Sequence, residues 1–333
     1  MADDTRYAYA VARVRGLEMR LLDRQWIERL LTEDARGALK VLADSALQES
    51  MSGVERPEDI ETGLIAAMAD ALQVVSSISP EPELIDLFRM RWDFRNVRSL
   101  IKASLLKRTG ENIGLTDGPG TIPAATLEKA VSENNYAALP DVLVEAIRAA
   151  QDDYRDHGEL ARVDQVLDNA LWTHQLDVAA SHKNAFLVTF FRTEVDLINI
   201  RTFARIKQSG GDASGLHTAL IEGGHLDGAF FAGNLGEPVE AFTRALEYGR
   251  YGRLADVFRE WSPEKAYVLD RACDNVLLDL VDDARRNAYG VEPLVAYILT
   301  RQLEIKLVRT AITARLDGVS RETVEERLRA AHV

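Results

Sequence analysis

Apolar residues recur along this chain at intervals of three and four. Phe94, Val97, Ile101 and Leu105 fall on one face of a helix, and Leu197, Ile200 and Ala204 repeat the spacing about a hundred residues later. Strict alternation of apolar and polar residues, the mark of a half-buried strand, is nearly absent. The periodic stretches break at TGENIGLTDGPGTIP (109–123) and QSGGDASG (208–215), where glycine and proline cluster. Elsewhere these punctuating residues are sparse, with 21 glycines and 9 prolines in 333 residues, so long helices are expected. The pattern predicts an all-α fold.

The pattern also repeats. DFRNVR at 93–98 returns as DLINIR at 196–201 and as EIKLVR at 304–309. Each hexapeptide starts with an acid and ends with arginine. The first two carry asparagine at the fourth place, where the third has Leu307. The acids stand 103 and then 108 residues apart. A second anchor argues against coincidence: VDQVLDNAL at 163–171 matches LDRACDNVL at 269–277, with Asp164/Asp270, Asp168/Asp274 and Asn169/Asn275 each 106 residues apart. IETGLIAAM at 60–68 fills the same slot in the first third, where only Ile60 and Glu61 keep their character. The step from 106 to 108 calls for a two-residue insertion, expected around Gly290 to Pro293. A third element, at 31–47, 124–139 and 216–231, reads each time as two short helices about a polar turn. Self-similarity at a fixed period marks a repeat architecture. Three helical modules are expected, at 1–113, 114–214 and 215–333.

An acid and an asparagine three apart share a helical face, while the arginine at the sixth place points elsewhere. The repeat positions Asp93, Asn96, Arg98, Asp196, Asn199, Arg201, Glu304 and Arg309 are therefore read as structural. The acid and amide are expected to satisfy backbone groups or a neighbouring helix where modules meet. A ligand site written three times along one chain is the rarer arrangement.

Composition sets the class. Apolar residues make up 47% and charged residues 28%, which suits a globular protein with a real core. The most apolar run, AFLVTFF at 185–191, falls far short of the roughly 20 residues that span a bilayer. The opening MADDTRY is acidic and polar, unlike a secretory leader. Cys273 is the one cysteine, so neither an intrachain disulfide nor a cysteine metal site is expected, and a cytoplasmic location follows. The net charge of −13, from 40 basic and 53 acidic residues, is spread along the chain without a basic stripe. That excludes the electrostatic footprint of a nucleic-acid binder.

The best enzymatic candidate is DDYRD at 152–156, since helical carboxylates at i, i+1 and i+4 can share a Mg²⁺ ion. Such chemistry needs a second acidic cluster, and DDARR at 282–286 puts Arg286 in place of its last acid. DDYRD is read as a solvated helix face that ends at His157-Gly158. The histidines at 157, 174, 182, 217, 225 and 332 show no HExxH pattern, and no GxxxxGK[ST] loop occurs. Cys273 stands where the preceding module has Leu167, which makes it a core residue. No catalytic, cofactor-binding or metal-binding residue is assigned.

Four stretches in order carry a resemblance: YAYAVARVRGLEMRLL (7–22), WDFRNVRSLIKASL (92–105), EVDLINIRTFARIK (194–207), and EPLVAYILTRQLEIKLVRTAI (292–312) followed by ERLR (326–329). With these the chain resembles the C subunit of archaeal and bacterial V/A-type ATPases, equivalent to the d subunit of eukaryotic vacuolar ATPases. The resemblance covers almost the whole chain; Leu307, in the asparagine's place, departs from the repeat. It implies a funnel of three similar helical domains about a pseudo-threefold axis. It also implies a non-catalytic rotor adaptor, peripheral on the cytoplasmic face of the membrane, between the shaft subunits D and F and the proteolipid ring. Such an adaptor would couple ATP synthesis or hydrolysis to proton or sodium transport, without cofactor, nucleic acid or membrane span of its own. The alternative is a cytosolic helical-repeat scaffold without a rotary partner.

Overall fold

The computed structural model describes residues 5–107, 113–259, 262, 266–319 and 324. Among these the chain is helical throughout, with fifteen α-helices and no strand. The first five are α1 (Ala8–Glu18), α2 (Arg24–Thr32), α3 (Ala35–Ala43), α4 (Ile60–Ile78) and α5 (Pro82–Leu105). Next come α6 (Ala124–Ser132), α7 (Asp141–His157), α8 (Leu160–Ser181), α9 (Ala185–Gln208) and α10 (Ala213–Ala219). The last five are α11 (Gly228–Leu235), α12 (Val239–Glu247), α13 (Gly252–Arg259), α14 (Ala266–Arg285) and α15 (Glu292–Leu316). None of the described helices is long and apolar enough to cross a membrane. ERLR at 326–329 lies outside the described residues.

The chain divides into two compact units, Leu87–Leu277 in one stretch, and Met1–Asp86 together with Leu278–Val333. In the discontinuous unit, α15 packs against α1, α2, α3 and α4. Pro293 sits in its first turn, where a missing N–H costs nothing. Leu294, Val295, Ala296, Tyr297 and Ile298 are buried in an unbroken run that goes round the helix, so its first turns are core rather than amphipathic. α4 buries Ile60, Leu64, Met68, Leu72 and Val75, a stripe at helical spacing, and the chain turns at Ser79-Pro80. Asp23 and Asp34 cap α2 and α3 by accepting from Trp26 N and Gly37 N at 3.0 and 2.7 Å.

In the contiguous unit α7 and α8 pack together, and α8 packs on α9. Gly158, at φ 73°, ends α7 in the left-handed conformation that glycine adopts without strain. Phe203 stacks on Phe242 with ring centroids 4.2 Å apart, and Leu197, Ile200, Leu254 and Cys273 fill the same buried cluster. Of the expected stripe, Phe94, Val97 and Ile101 are buried and Leu105 is half-buried.

One detail differs from the expected pattern and one agrees with it. Residues 124–139 form one helix, not two: α6 ends at Ser132, Asn134 turns at φ 50°, and the next helix starts only after Pro140. Proline fixes a φ suited to a helix start and lacks an N–H to donate backwards, so YAAL stays in the turn. The α14–α15 connection covers 286–291, against 79–81 and 182–184 for the equivalent connections, which is where the longer offset is absorbed.

Candidate functional site

The repeated side chains act on backbone. Asp93, on α5, is fully buried. It accepts from Thr121 N at 3.0 Å, from the Thr121 hydroxyl at 2.6 Å and from Ile122 N at 3.2 Å. One turn further on, Asn96 donates to Thr116 O at 2.7 Å and accepts from Thr116 N at 2.9 Å, closing a ring with one residue of the connecting strap 116–122 that Asp93 also holds. α9 repeats the device. Asp196 accepts from His225 N at 3.0 Å, Leu226 N at 2.9 Å and the Tyr251 hydroxyl at 2.5 Å. Asn199 donates to Ile221 O at 2.8 Å and accepts from Ile221 N at 2.9 Å. Burial pushes both aspartates above the usual carboxylate range, and the donated hydrogen bonds pull them part of the way back.

On α15 the acid does the same work on the start of the chain. Glu304 accepts from Leu22 N at 2.6 Å and is paired with Arg301. Counting back from Leu22 as from Ile122 and Leu226, the strap segment held by asparagine corresponds to residues 16–17. These belong to α1, where peptide groups are already paired; Leu17 O, for example, accepts from Arg20 N at 3.0 Å. A helical N–H is already committed to the helix, so no residue there offers both its N–H and its C=O to an amide, and Leu307 instead joins a buried cluster with Leu31, Ala311 and Ala314.

The straps share little sequence, and they were not foreseen. Their one common signal is a glycine two residues before an aliphatic one, Gly120-Thr-Ile and Gly224-His-Leu. They also reset the third repeated element. The helices that follow them start at Arg24, Ala124 and Gly228; the second start is the 124 read from the sequence, whereas the first and third differ from 31 and 216.

The arginines leave the straps and meet the acids of the second anchor. Arg98 pairs with Asp168, and its Nε lies 3.4 Å from Asp164. Arg201 pairs with Asp274 at 3.1 Å and Asp270 at 3.0 Å. Arg309 grips Glu61 with two bonds of 2.8 Å. Each arginine thus meets the acid one repeat further on, and the last meets the acid of the first. Some repeat-related residues also touch each other. Phe88 and Phe191 have ring centroids 5.6 Å apart, and Arg91 pairs with Glu194 at 3.0 Å. Both pairs are 103 residues apart.

The sequence model of the ATP synthase (C/AC39) subunit family matches residues 10–327. The chain belongs to the ATP synthase (C/AC39) subunit family. It is 23% identical to the V-type sodium ATPase C subunit of Enterococcus hirae, over 96% of this chain and 97% of the relative. It is 26% identical to the A-type ATP synthase C subunit of Thermococcus kodakarensis, over 97% and 90%. It is 28% identical to that of Thermococcus gammatolerans, over 97% and 89%.

In this C/AC39 family member several acids of the remaining candidates pair with nearby arginines. Asp153 of DDYRD is held by Arg162 through bonds of 2.8 and 2.6 Å, and Asp152 pairs with Arg155 at 2.8 Å. Asp282 and Asp283 each lie 3.6 Å from Arg285 and Arg286 in turn. Cys273 is fully buried, and burial pushes its thiol up to about 12, which leaves almost no thiolate to attack anything.

Proposed function

We propose that this chain is the non-catalytic rotor adaptor of a V/A-type rotary ATPase. It sits on the cytoplasmic face of the membrane, between the D–F shaft and the proteolipid ring, and couples ATP synthesis or hydrolysis to proton or sodium transport. Its modules, 1–113, 114–214 and 215–333, form a funnel with pseudo-threefold symmetry. The relatives, each a C subunit of such an ATPase or synthase, point to the complex. The observation that carries the geometry is the cyclic register of the arginine–acid pairs, in which the third repeat returns to the first. An open array leaves its end repeats with uncovered faces, whereas a cycle leaves none. A part that passes torque has to be stiff, and closure supplies stiffness without chemistry. Phe88 against Phe191 and Arg91 against Glu194 support an axis beside α5 and α9.

The test is to measure ATP hydrolysis and ion transport side by side in reconstituted vesicles, with and without the adaptor. Without it the nucleotide-bearing subunits should continue to hydrolyse ATP while ion movement stops. Transport at full rate in its absence would sink the proposal.

A further inference from the structure

Where each strap meets its aspartate, the two copies differ. Gly120-Thr121-Ile122 of the first strap matches Gly224-His225-Leu226 of the second, so Thr121 and His225 correspond. The Thr121 hydroxyl donates to Asp93 at 2.6 Å. In the second copy that bond passes to the Tyr251 hydroxyl, 2.5 Å from Asp196, and the freed position carries an imidazole. The His225 backbone N still donates to Asp196 at 3.0 Å, which ties the residue to the carboxylate that holds the strap. Its ring is half-buried, and Nε2 is buried without a hydrogen-bond partner. The charges that act on the ring come from two sides: Arg192 and Asp196 of α9, and Arg250 beside Tyr251, between α12 and α13. α8 meets the strap through Asn169, which accepts from Glu222 N at 3.1 Å, and through Leu176 against Gly223; neither is charged. Glu222 and Asp227, the charged residues of the strap itself, are exposed.

Protonation of His225 adds a positive charge beside two arginines. In the charged form both ring nitrogens carry hydrogen, so Nε2 becomes a buried donor without an acceptor. We propose that His225 makes the second strap a proton-sensitive latch, in which uptake of one proton loosens residues 221–226 from Asp196 and Asn199 of α9. Burial holds the imidazole below its ordinary value of about 6.5; Arg250 and Arg192 press it the same way, and Asp196 with the Thr189 carbonyl opposes them in part. A released strap returns the ring to its ordinary value, whereas the closed one holds it lower, so opening takes up a proton. The latch is at full strength above about pH 6.5 and weakens as pH falls, levelling once the ring in the closed strap is itself protonated. The first strap, with threonine in this place, lacks that step. The latch follows from packing inside the Leu87–Leu277 unit and does not depend on the adaptor reading.

Native-state hydrogen exchange on the purified full chain reads both straps in one sample, through the amides of His225 and Leu226 against those of Thr121 and Ile122. Each strap hangs on a buried aspartate, so loosening through the carboxylates appears in both and cancels in the ratio of protection factors. Between about pH 7.5 and about pH 5 the second strap should lose at least about threefold more protection than the first. The His225 ring, followed by NMR, should titrate below about 6.5. His225→Thr, which writes the residue of the first strap into the second, should abolish the excess loss, with circular dichroism confirming the fold. An equal change in both straps overturns the proposal, and so does an excess loss that survives His225→Thr. Titration of the ring at or above its ordinary value overturns it as well, and that measurement needs only the wild-type chain.

Discussion

Gly120 and Gly224 press against buried aspartates, and a Cβ at either would fall on the carboxylate oxygen of Asp93 or Asp196. Alanine at these positions pushes the carboxylate off the strap amides and leaves buried donors without acceptors. Gly120→Ala and Gly224→Ala are each expected to cost about 1–3 kcal/mol, read from the denaturant midpoint. A loss below about 0.5 kcal/mol would mean that the strap slides aside without penalty. Cys273 makes a second residue-scale prediction. Its thiol is pushed up to about 12 by burial, against about 8.5 for a free cysteine. The folded chain therefore keeps this proton through a window in which the unfolded chain gives it up. Stability is unaffected below the lower value and falls as pH rises through the window, by at most about 1.4 kcal/mol per pH unit. Cys273→Val should remove that slope in denaturation curves taken at pH 8 and pH 10. The native thiol should also resist iodoacetamide until the chain is unfolded.

At the scale of the element, α5, α9 and α15 are one helix written three times, with environments that have drifted apart. Phe94, Leu197 and Ile305 occupy matching buried positions. Phe94→Ala should cost about 3–5 kcal/mol, and a loss below about 1 kcal/mol would place the ring outside the core. Leu307→Asn tests the drift. It restores the residue of the first two copies, yet no unpaired peptide waits for it in α1, so the buried amide should cost about 2 kcal/mol or more by thermal denaturation. A neutral result would mean that a strap forms there after all. These long helices were readable because apolar spacing and a fixed acid-to-arginine distance survive divergence. The straps were not, because Asp93 and Asn96 bind main-chain groups, which almost any sequence supplies. The Arg309–Glu61 pair lay between these cases. Glu61 was one of two residues that kept their character in its slot, and nothing local to it announced an arginine 248 residues away.

For the whole molecule, packing and the division expected from the sequence repeat differ. The repeat predicts three modules, while the two compact units have boundaries inside α5 and α14. The repeat counts copies of a sequence, and packing counts which copies have partners close by. The third repeat's contacts with the first are the reason one unit is discontinuous: Glu304 holds the Leu22 amide across 282 residues. This affects synthesis. As the chain leaves the ribosome, Leu87–Leu277 emerges as a complete unit, while the segment before it still lacks α15. Nascent chains arrested after residue 277 should therefore protect the middle of the protein from protease before its first 86 residues, and the opposite order would show that the early helices settle without α15. The part translated first is then expected to be the part that folds last.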